Sequence, residues 1–275
     1  MKKYLHIYTT TLIESVQYIS SVFISFISFS VIIYVFINLW QYIYQDPNEL
    51  INGYSVNQMI WYVLITEILW CGTKNKTLLN QISQDIKTGN IAYNINKPYN
   101  YISYIISRNF GEITIKFILF IIFGIIVGVT FIGKIPGFQL KNIPLILISV
   151  VLGVTINSLL RMIISIISFW IEDSRPFQWI YDKLILILGT IFPIEMFPVW
   201  LQPVIKFTPV YVITYGPAKL IIDFSVEMFS KIIVAQVIYL LICSAILMFL
   251  YNRGVKKLNV NGGCNSILNL VCSYF

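Results

Sequence analysis

Long apolar runs alternate with short polar segments along the whole of this sequence. A helix that crosses a bilayer needs about 20 mostly apolar residues, and the pattern predicts six such spans. The first covers Ile19 to Leu39, the second Val56 to Cys71, the third Ile115 to Ile132 and the fourth Ile143 to Ile171. The fourth is long enough to tilt or to project beyond the hydrocarbon. The fifth starts near Lys183 and meets Pro193 early; the sixth covers Ile232 to Tyr251. Ahead of them, Leu5, Leu12, Val16 and Ile19 share a helical face, while His6, Thr9, Thr10, Thr11 and Glu14 interrupt any secretory h-region. That pattern predicts an N-terminal helix lying along the membrane surface.

The segment between the second and third spans has a different rhythm. Leu78, Ile82 and Ile86 recur four apart, flanked by Leu79, with Gln81, Ser83, Gln84, Asp85 and Lys87 on the other faces. This is the pattern of an amphipathic helix. Gly89 follows as a left-handed stop, and Lys87 sits in the last turn, where the helix dipole favours a cation. The string IAYNIN then leads to Lys97 and Pro98, which blocks further helix. Such an element either floats on lipid headgroups or docks a partner.

Composition supports a membrane protein. The chain has 275 residues, 57% hydrophobic and 11% charged, with a mean hydropathy of +0.79. Soluble domains carry about 25% charged residues. The net charge of +7 is therefore a topology signal rather than a sign of nucleic-acid binding, because Lys and Arg collect on the cytoplasmic side. With six spans alternating, only Lys134, Lys141, Lys206, Lys219 and Lys231 fall on one side, out of 19 Lys and Arg. The other side, with both termini and Lys74 to Asn100, is predicted to be cytoplasmic, in a cell membrane. Cys71, Cys243, Cys264 and Cys272 have no metal-ligand spacing, and no disulfide is expected between Cys264 and Cys272.

Polar residues inside apolar runs are costly and face protein or water. Glu67 is one; Lys116 and Arg161 are its candidate partners, and it would either form a structural pair or line a substrate path. Glu112 and Lys116, four apart, could instead pair with each other. Asn157 and Ser158 could hydrogen-bond across helices. Gly124 and Gly128 form a small-residue face for close packing, within the chain or between copies. Pro193, Pro198, Pro203, Pro209 and Pro217 cut an apolar stretch into pieces too short to span. Irregular backbone at membrane depth needs protein or water around it, which predicts two short re-entrant helices on the external side. Trp200, Tyr211 and Tyr215 suit an interface belt.

Three strings carry a resemblance. QDIKTGNIAYNINKP resembles the cytoplasmic loop of type 2 ABC permeases, in the six-span subfamily that includes drug and antibiotic exporters; the matching positions are Asp85, Ile86, Lys87, Gly89, Asn90, Ile91, Ala92, Lys97 and Pro98. FPIEMFPVWLQPVIKFTPVYVITYGP is similar to that family's Pro-rich stretch, and VKKLNVNGG to its usual ending. The resemblance covers residues 1–263 as one permease domain, leaving 264–275 as a tail with no counterpart. It implies two permease subunits, alike or paralogous, each engaging a cytoplasmic ATPase through a coupling helix. On that reading Leu78, Ile82 and Ile86 enter a groove on the ATPase. The Pro-rich element, with Glu195 and Trp200, forms an external gate.

ATP and Mg²⁺ would be bound elsewhere. The nearest phosphate-loop string, GVTFIGKI from Gly128 to Ile135, has Ile where Ser or Thr must reach the metal. The sequence thus reads as an all-α permease, not an enzyme, embedded in lipid and moving a drug, antibiotic, peptide or lipid-like molecule outward. The alternatives are an ion-coupled transporter or a lipid-modifying membrane enzyme.

Overall fold

The computed structural model describes residues 2–17, 19–46, 49–171 and 173–257. The tail, with Cys264 and Cys272, lies outside the described residues, as do Asn48 and Glu172. Eleven α-helices are described: α1 (Lys2–Gln17), α2 (Ile19–Ile43), α3 (Val56–Thr73), α4 (Lys76–Lys87), α5 (Asn90–Ile95), α6 (Tyr101–Phe131), α7 (Ile143–Ile166), α8 (Arg175–Ile185), α9 (Gln202–Lys206), α10 (Gly216–Ile222) and α11 (Val226–Lys257). Two π-helical stretches, Leu186–Ile191 and Tyr211–Tyr215, continue α8 and lead into α10.

Four helical segments are long and apolar enough to cross a membrane: Val22–Ile43, Tyr101–Phe131, Leu140–Phe169 and Val226–Lys257. The chain is a nearly all-helical, multi-pass membrane protein. The two remaining predicted spans correspond to α3 and to α8 with its π-helical extension. Both are more polar because protein, not lipid, surrounds much of them. Every residue of α3 from Met59 to Leu69 is buried. α8 begins at Arg175, well before the apolar run at Lys183, since its first turns turn Asp182 inward.

The π-helical turn at Leu186–Ile191 frees backbone carbonyls in the core, where an unpaired acceptor costs about 1–3 kcal/mol. α3 supplies the donors. Tyr62 Oη donates to the Gly189 carbonyl at 2.7 Å and Thr66 Oγ1 to the Thr190 carbonyl at 3.0 Å. Gly189 itself lies where a side chain would collide with Thr214 and Val210, so the two π-helical stretches meet backbone to side chain there.

Gly124 and Gly128 face α3: a Cβ on either would run into Ile68 or Trp61. The small-residue face is therefore used inside the chain. α1 packs along the first half of α6, close at Gly111, where an added Cβ would meet Thr11 at 2.8 Å and the Tyr8 carbonyl at 2.9 Å. Lys3 Nζ donates to the Pro98 carbonyl at 2.9 Å, and the Asn100 amide donates to Tyr4 Oη at 2.9 Å. Leu5, Ile13 and Val16 remain exposed, an apolar face pointing away from the bundle.

These contacts define two ends. One gathers α1, α4, α5, the start of α6, the α7–α8 junction and the end of α11. The other gathers the α2–α3 loop, α9, α10 and the residues between α8 and α9.

Candidate functional site

α4 begins at Asn75, whose side chain accepts from the Leu78 amide at 3.3 Å. It ends at Thr88, followed by Gly89 at φ +76°. In that left-handed conformation the chain turns sharply and restarts as α5, giving a two-helix elbow. The sequence reading of this helix and its stop agrees with the structure.

The apolar stripe does not go where the sequence reading sent it. Leu78, Leu79, Ile82 and Ile86 are buried within this chain, in a cluster with Ile91, Ile102, Ile105, Leu159, Met162 and Ile166. It is thus spent on α6 and α7 and is not free to enter a partner's groove. What the elbow exposes is polar: Gln84, Lys87, Thr88, Gly89, Asn90 and the ring of Tyr93, which is 72% exposed. Lys97 Nζ lies 4.8 Å from the centre of that ring and donates to Asn94 Oδ1 at 3.0 Å. Asn94 reaches Asp85 Oδ2 at 3.4 Å, tying α5 back to α4. Burial raises the Asp85 carboxyl above the usual carboxylate range, against the pull of Arg108 and Lys97.

Polar pins hold α4 to two neighbours, α6 and the cap of α8. Asn75 Nδ2 donates to Asn109 Oδ1 at 3.2 Å and Glu112 Oε2 at 2.8 Å on α6. Arg108 donates to Gln81 Oε1 at 3.0 Å and pairs with Glu112 at 2.8 Å. Ser83 and Ser174, at the cap of α8, stand 2.6 Å apart. Beside the pins lies a buried charge network. Arg161 donates to Asp182 Oδ1 at 2.8 Å and to Asn157 Oδ1 at 3.3 Å, and its guanidinium sits 5.2 Å from the Trp70 ring and 5.1 Å from the Tyr181 ring. Asn157 also receives Tyr181 Oη at 2.8 Å and donates to Thr73 Oγ1 at 3.1 Å. Lys74, directly after α3, approaches Asp182 at 3.8 Å. The network bolts α3, α7 and α8 together at the level where α4 departs.

Several expected pairs differ. Glu67, 2% exposed, makes no ion pair with Lys116 or Arg161 among the described residues; Cys71 Sγ, one turn along α3, donates to its Oε2 at 3.6 Å. Lys116 donates to the Lys74 carbonyl at 3.0 Å, and Glu112 pairs with Arg108 instead of Lys116. In each case tertiary packing chose among partners that spacing alone left equal. Sequence reasoning missed Asp182, Ser174, Asn75, Asn109 and Gln236. Gln236, fully buried on α11, donates to the Ser149 and Val212 carbonyls at 2.9 Å each; a lone amide inside an apolar run was the available signal.

At the opposite end the Pro-rich stretch forms a 3₁₀ turn at Ile194–Met196, then α9, then the π-helical Tyr211–Tyr215 running into α10. Pro193 and Pro217 are buried, while Pro198, Trp200 and Pro203 are exposed and Pro209 is half-buried. Glu195 gathers two phenols: Tyr54 Oη donates to Oε2 at 3.0 Å and Tyr215 Oη to Oε1 at 2.5 Å. Tyr44 Oη donates to the Tyr54 carbonyl at 2.8 Å, and Lys219 Nζ sits 4.3 Å from the Tyr54 ring centre. Burial, then the Glu195 charge, pushes the Tyr54 hydroxyl far above its usual range, so it remains a donor. Gly153 on α7 admits the backbone of Val212 and Ile213, whose carbonyls lie 3.2 and 3.1 Å from where a Cβ would stand.

The pinned elbow thus sits at one end, beside the charge network that joins α3, α7 and α8, and the proline-broken cap, latched through Glu195, sits at the other. The family model for an ABC-2 family transporter protein matches residues 27–262. No curated protein matches the chain.

Proposed function

The chain belongs to the ABC-2 transporter family, and we propose that this permease is the membrane subunit of an exporter driven by a separate ATPase. Six segments would cross the membrane: α2, α3, α6, α7, α8 with its π-helical extension, and α11. Both termini and the α4–α5 elbow would face the cytoplasm, in line with the clustering of Lys and Arg at that end. ATP and Mg²⁺ would bind in the ATPase. A second permease, identical or paralogous, would complete the pathway. The cargo is a drug, antibiotic, peptide or lipid-like molecule leaving the cytoplasm.

One observation carries this reading. The elbow is anchored by its apolar face in its own bundle and presents a polar crest with one exposed aromatic ring, Tyr93. A tyrosine amid small polar residues is the composition of an interface anchor. The ATPase would therefore grip the crest Gln84, Asp85, Lys87, Gly89, Asn90 and Tyr93, with Leu78, Ile82 and Ile86 transmitting the load inward and Lys97 and Pro98 setting the exit into α6. Glu195, with Tyr54 and Tyr215, would latch the external gate formed by the segment from Pro193 to Pro217, Trp200 included. Glu67, Lys116, Asn157 and Arg161 would serve as structural polar groups of the bundle rather than as cargo contacts.

The test is co-purification of the chain with a nucleotide-binding subunit, followed by vanadate-sensitive ATP turnover in proteoliposomes. A chain that moves cargo with no such subunit present would sink the proposal.

A further inference from the structure

We propose that the cleft between α1, the α3–α4 junction and α6 binds the headgroup of an anionic phospholipid. The cleft has a volume of about 670 Å³, within the roughly 300–1,000 Å³ range of small-ligand sites. Lys74, Lys76, Arg108 and Lys116 line it, together with Glu14 and Glu112. Glu112 is committed to Arg108 at 2.8 Å, and Glu14 is exposed on α1. Lys76 and Lys116 have no ion pair among the described residues. The first turn of α4 also opens here, through Asn75, Lys76 and Thr77, and adds the positive end of its dipole. Burial already pushes the Lys74 ammonium below its usual range in spite of Asp182. A phosphate in the cleft would relieve part of that.

The apolar lining selects a lipid over a free anion. Val22, Ile113 and Ile115 share the cleft with the cations. From Ile115, α6 continues with Ile118, Ile122 and Ile125, three and four apart and so on one face; these last three are 47%, 52% and 45% exposed. Over those residues α6 rises about 15 Å, close to the hydrocarbon depth of one leaflet, about half of 30 Å. A headgroup seated among the lysines would lay its acyl chains along this stripe. Basic pockets between membrane helices hold anionic headgroups in this way. The inference rests on the chain being embedded in a membrane and not on the coupling role of α4.

The experiment uses the purified full chain in mild detergent, with native mass spectrometry reading the binding of added phosphatidylglycerol, phosphatidylcholine and inorganic phosphate. Phosphatidylglycerol is expected to bind about tenfold more tightly than phosphatidylcholine, and Lys76→Glu to weaken it about fivefold or more. Lys141→Glu, the same charge change on an exposed residue at the opposite end, should leave it unchanged. Thr77→Asp provides a second variant, since an acid in the first turn favours α4 while repelling the ligand. Equal binding of the two lipids, or full affinity in both cleft variants, overturns the proposal. Inorganic phosphate that competes mole for mole with phosphatidylglycerol overturns the lipid assignment, leaving a plain anion site.

Discussion

Ser83 on α4 and Ser174 at the cap of α8 face each other hydroxyl to hydroxyl, 2.6 Å apart and both buried, across 91 residues of sequence. The contact joins the elbow to the second loop at the same end, so it links α4 to the start of α8. Ser83→Ala strands the partner hydroxyl and should cost about 1–3 kcal/mol. The Ser83→Ala, Ser174→Ala double variant should cost little more than either single change, a non-additivity of about 1–3 kcal/mol. Thermal unfolding of the purified chain measures this. Additive losses would show that the two hydroxyls act independently.

Gly89 occupies φ +76°, where a β-branched residue is strained by about 1–3 kcal/mol. Gly89→Val should leave membrane insertion intact and lower cargo moved per ATP consumed; charge reversal at Asp85 should do the same by breaking its link to Asn94. Transport at the normal ratio in both variants would remove the coupling role from the elbow.

Tyr93 and Ile86 make opposite predictions. Tyr93→Ala should weaken association with the ATPase by about tenfold or more, in the usual range for an aromatic anchor, with little change in the melting temperature of the isolated chain. Ile86→Ala should instead destabilise the chain by about 2–5 kcal/mol, as for a core truncation. If pull-down titrations and melting curves gave the reverse assignment, the apolar stripe would be the docking face after all.

Glu195→Gln replaces one acceptor oxygen with a donor between two phenol donors, Tyr54 and Tyr215. A loss of about 1–3 kcal/mol is expected, together with increased leak of a small dye from proteoliposomes in the absence of ATP. A variant as tight and as stable as the parent would mean that the latch does not hold the external end.

The orientation is checked with single cysteines in a chain whose native cysteines have been replaced. Leu50→Cys, in the exposed α2–α3 loop, should react with a membrane-impermeant maleimide on intact cells. Lys76→Cys, exposed at the start of α4, should react only after permeabilisation. The opposite labelling would invert the bundle.

How much of this was legible depended on whether a feature is local. The stripe Leu78–Ile82–Ile86, the stop at Gly89 and the breaks at the prolines are set by residues within one or two turns, and periodicity reads them directly. The destination of the stripe was not legible, because a helix pattern says that one face is buried without saying by what. Hydropathy found the lipid-facing helices and underrated α3 and α8, whose neighbours are protein; it starts the fifth span near Lys183, whereas α8 begins at Arg175 and includes the polar Gln178 and Asp182. Ion pairs were the least legible. Spacing leaves Glu67, Glu112, Lys116 and Arg161 as interchangeable partners, and only the packing of α7 against α8 decides that Arg161 meets Asp182 while Glu67 is left with Cys71.

The seam between α1 and α6 has a consequence for biogenesis. Lys3 and its acceptor Pro98 are 95 residues apart, so at a synthesis rate of about 5–20 residues per second the N-terminal helix waits on the order of 5–20 s for its receptor to be made. During that interval the side that will meet α6, with Tyr4, Tyr8 and Thr11, lacks its partner, while the opposite side, Leu5, Ile13 and Val16, rests on the bilayer surface as it does in the finished fold. A bulky replacement at Gly111 would leave it parked there permanently: the nascent protein would thread through the translocon on schedule, yet mature without its first clasp.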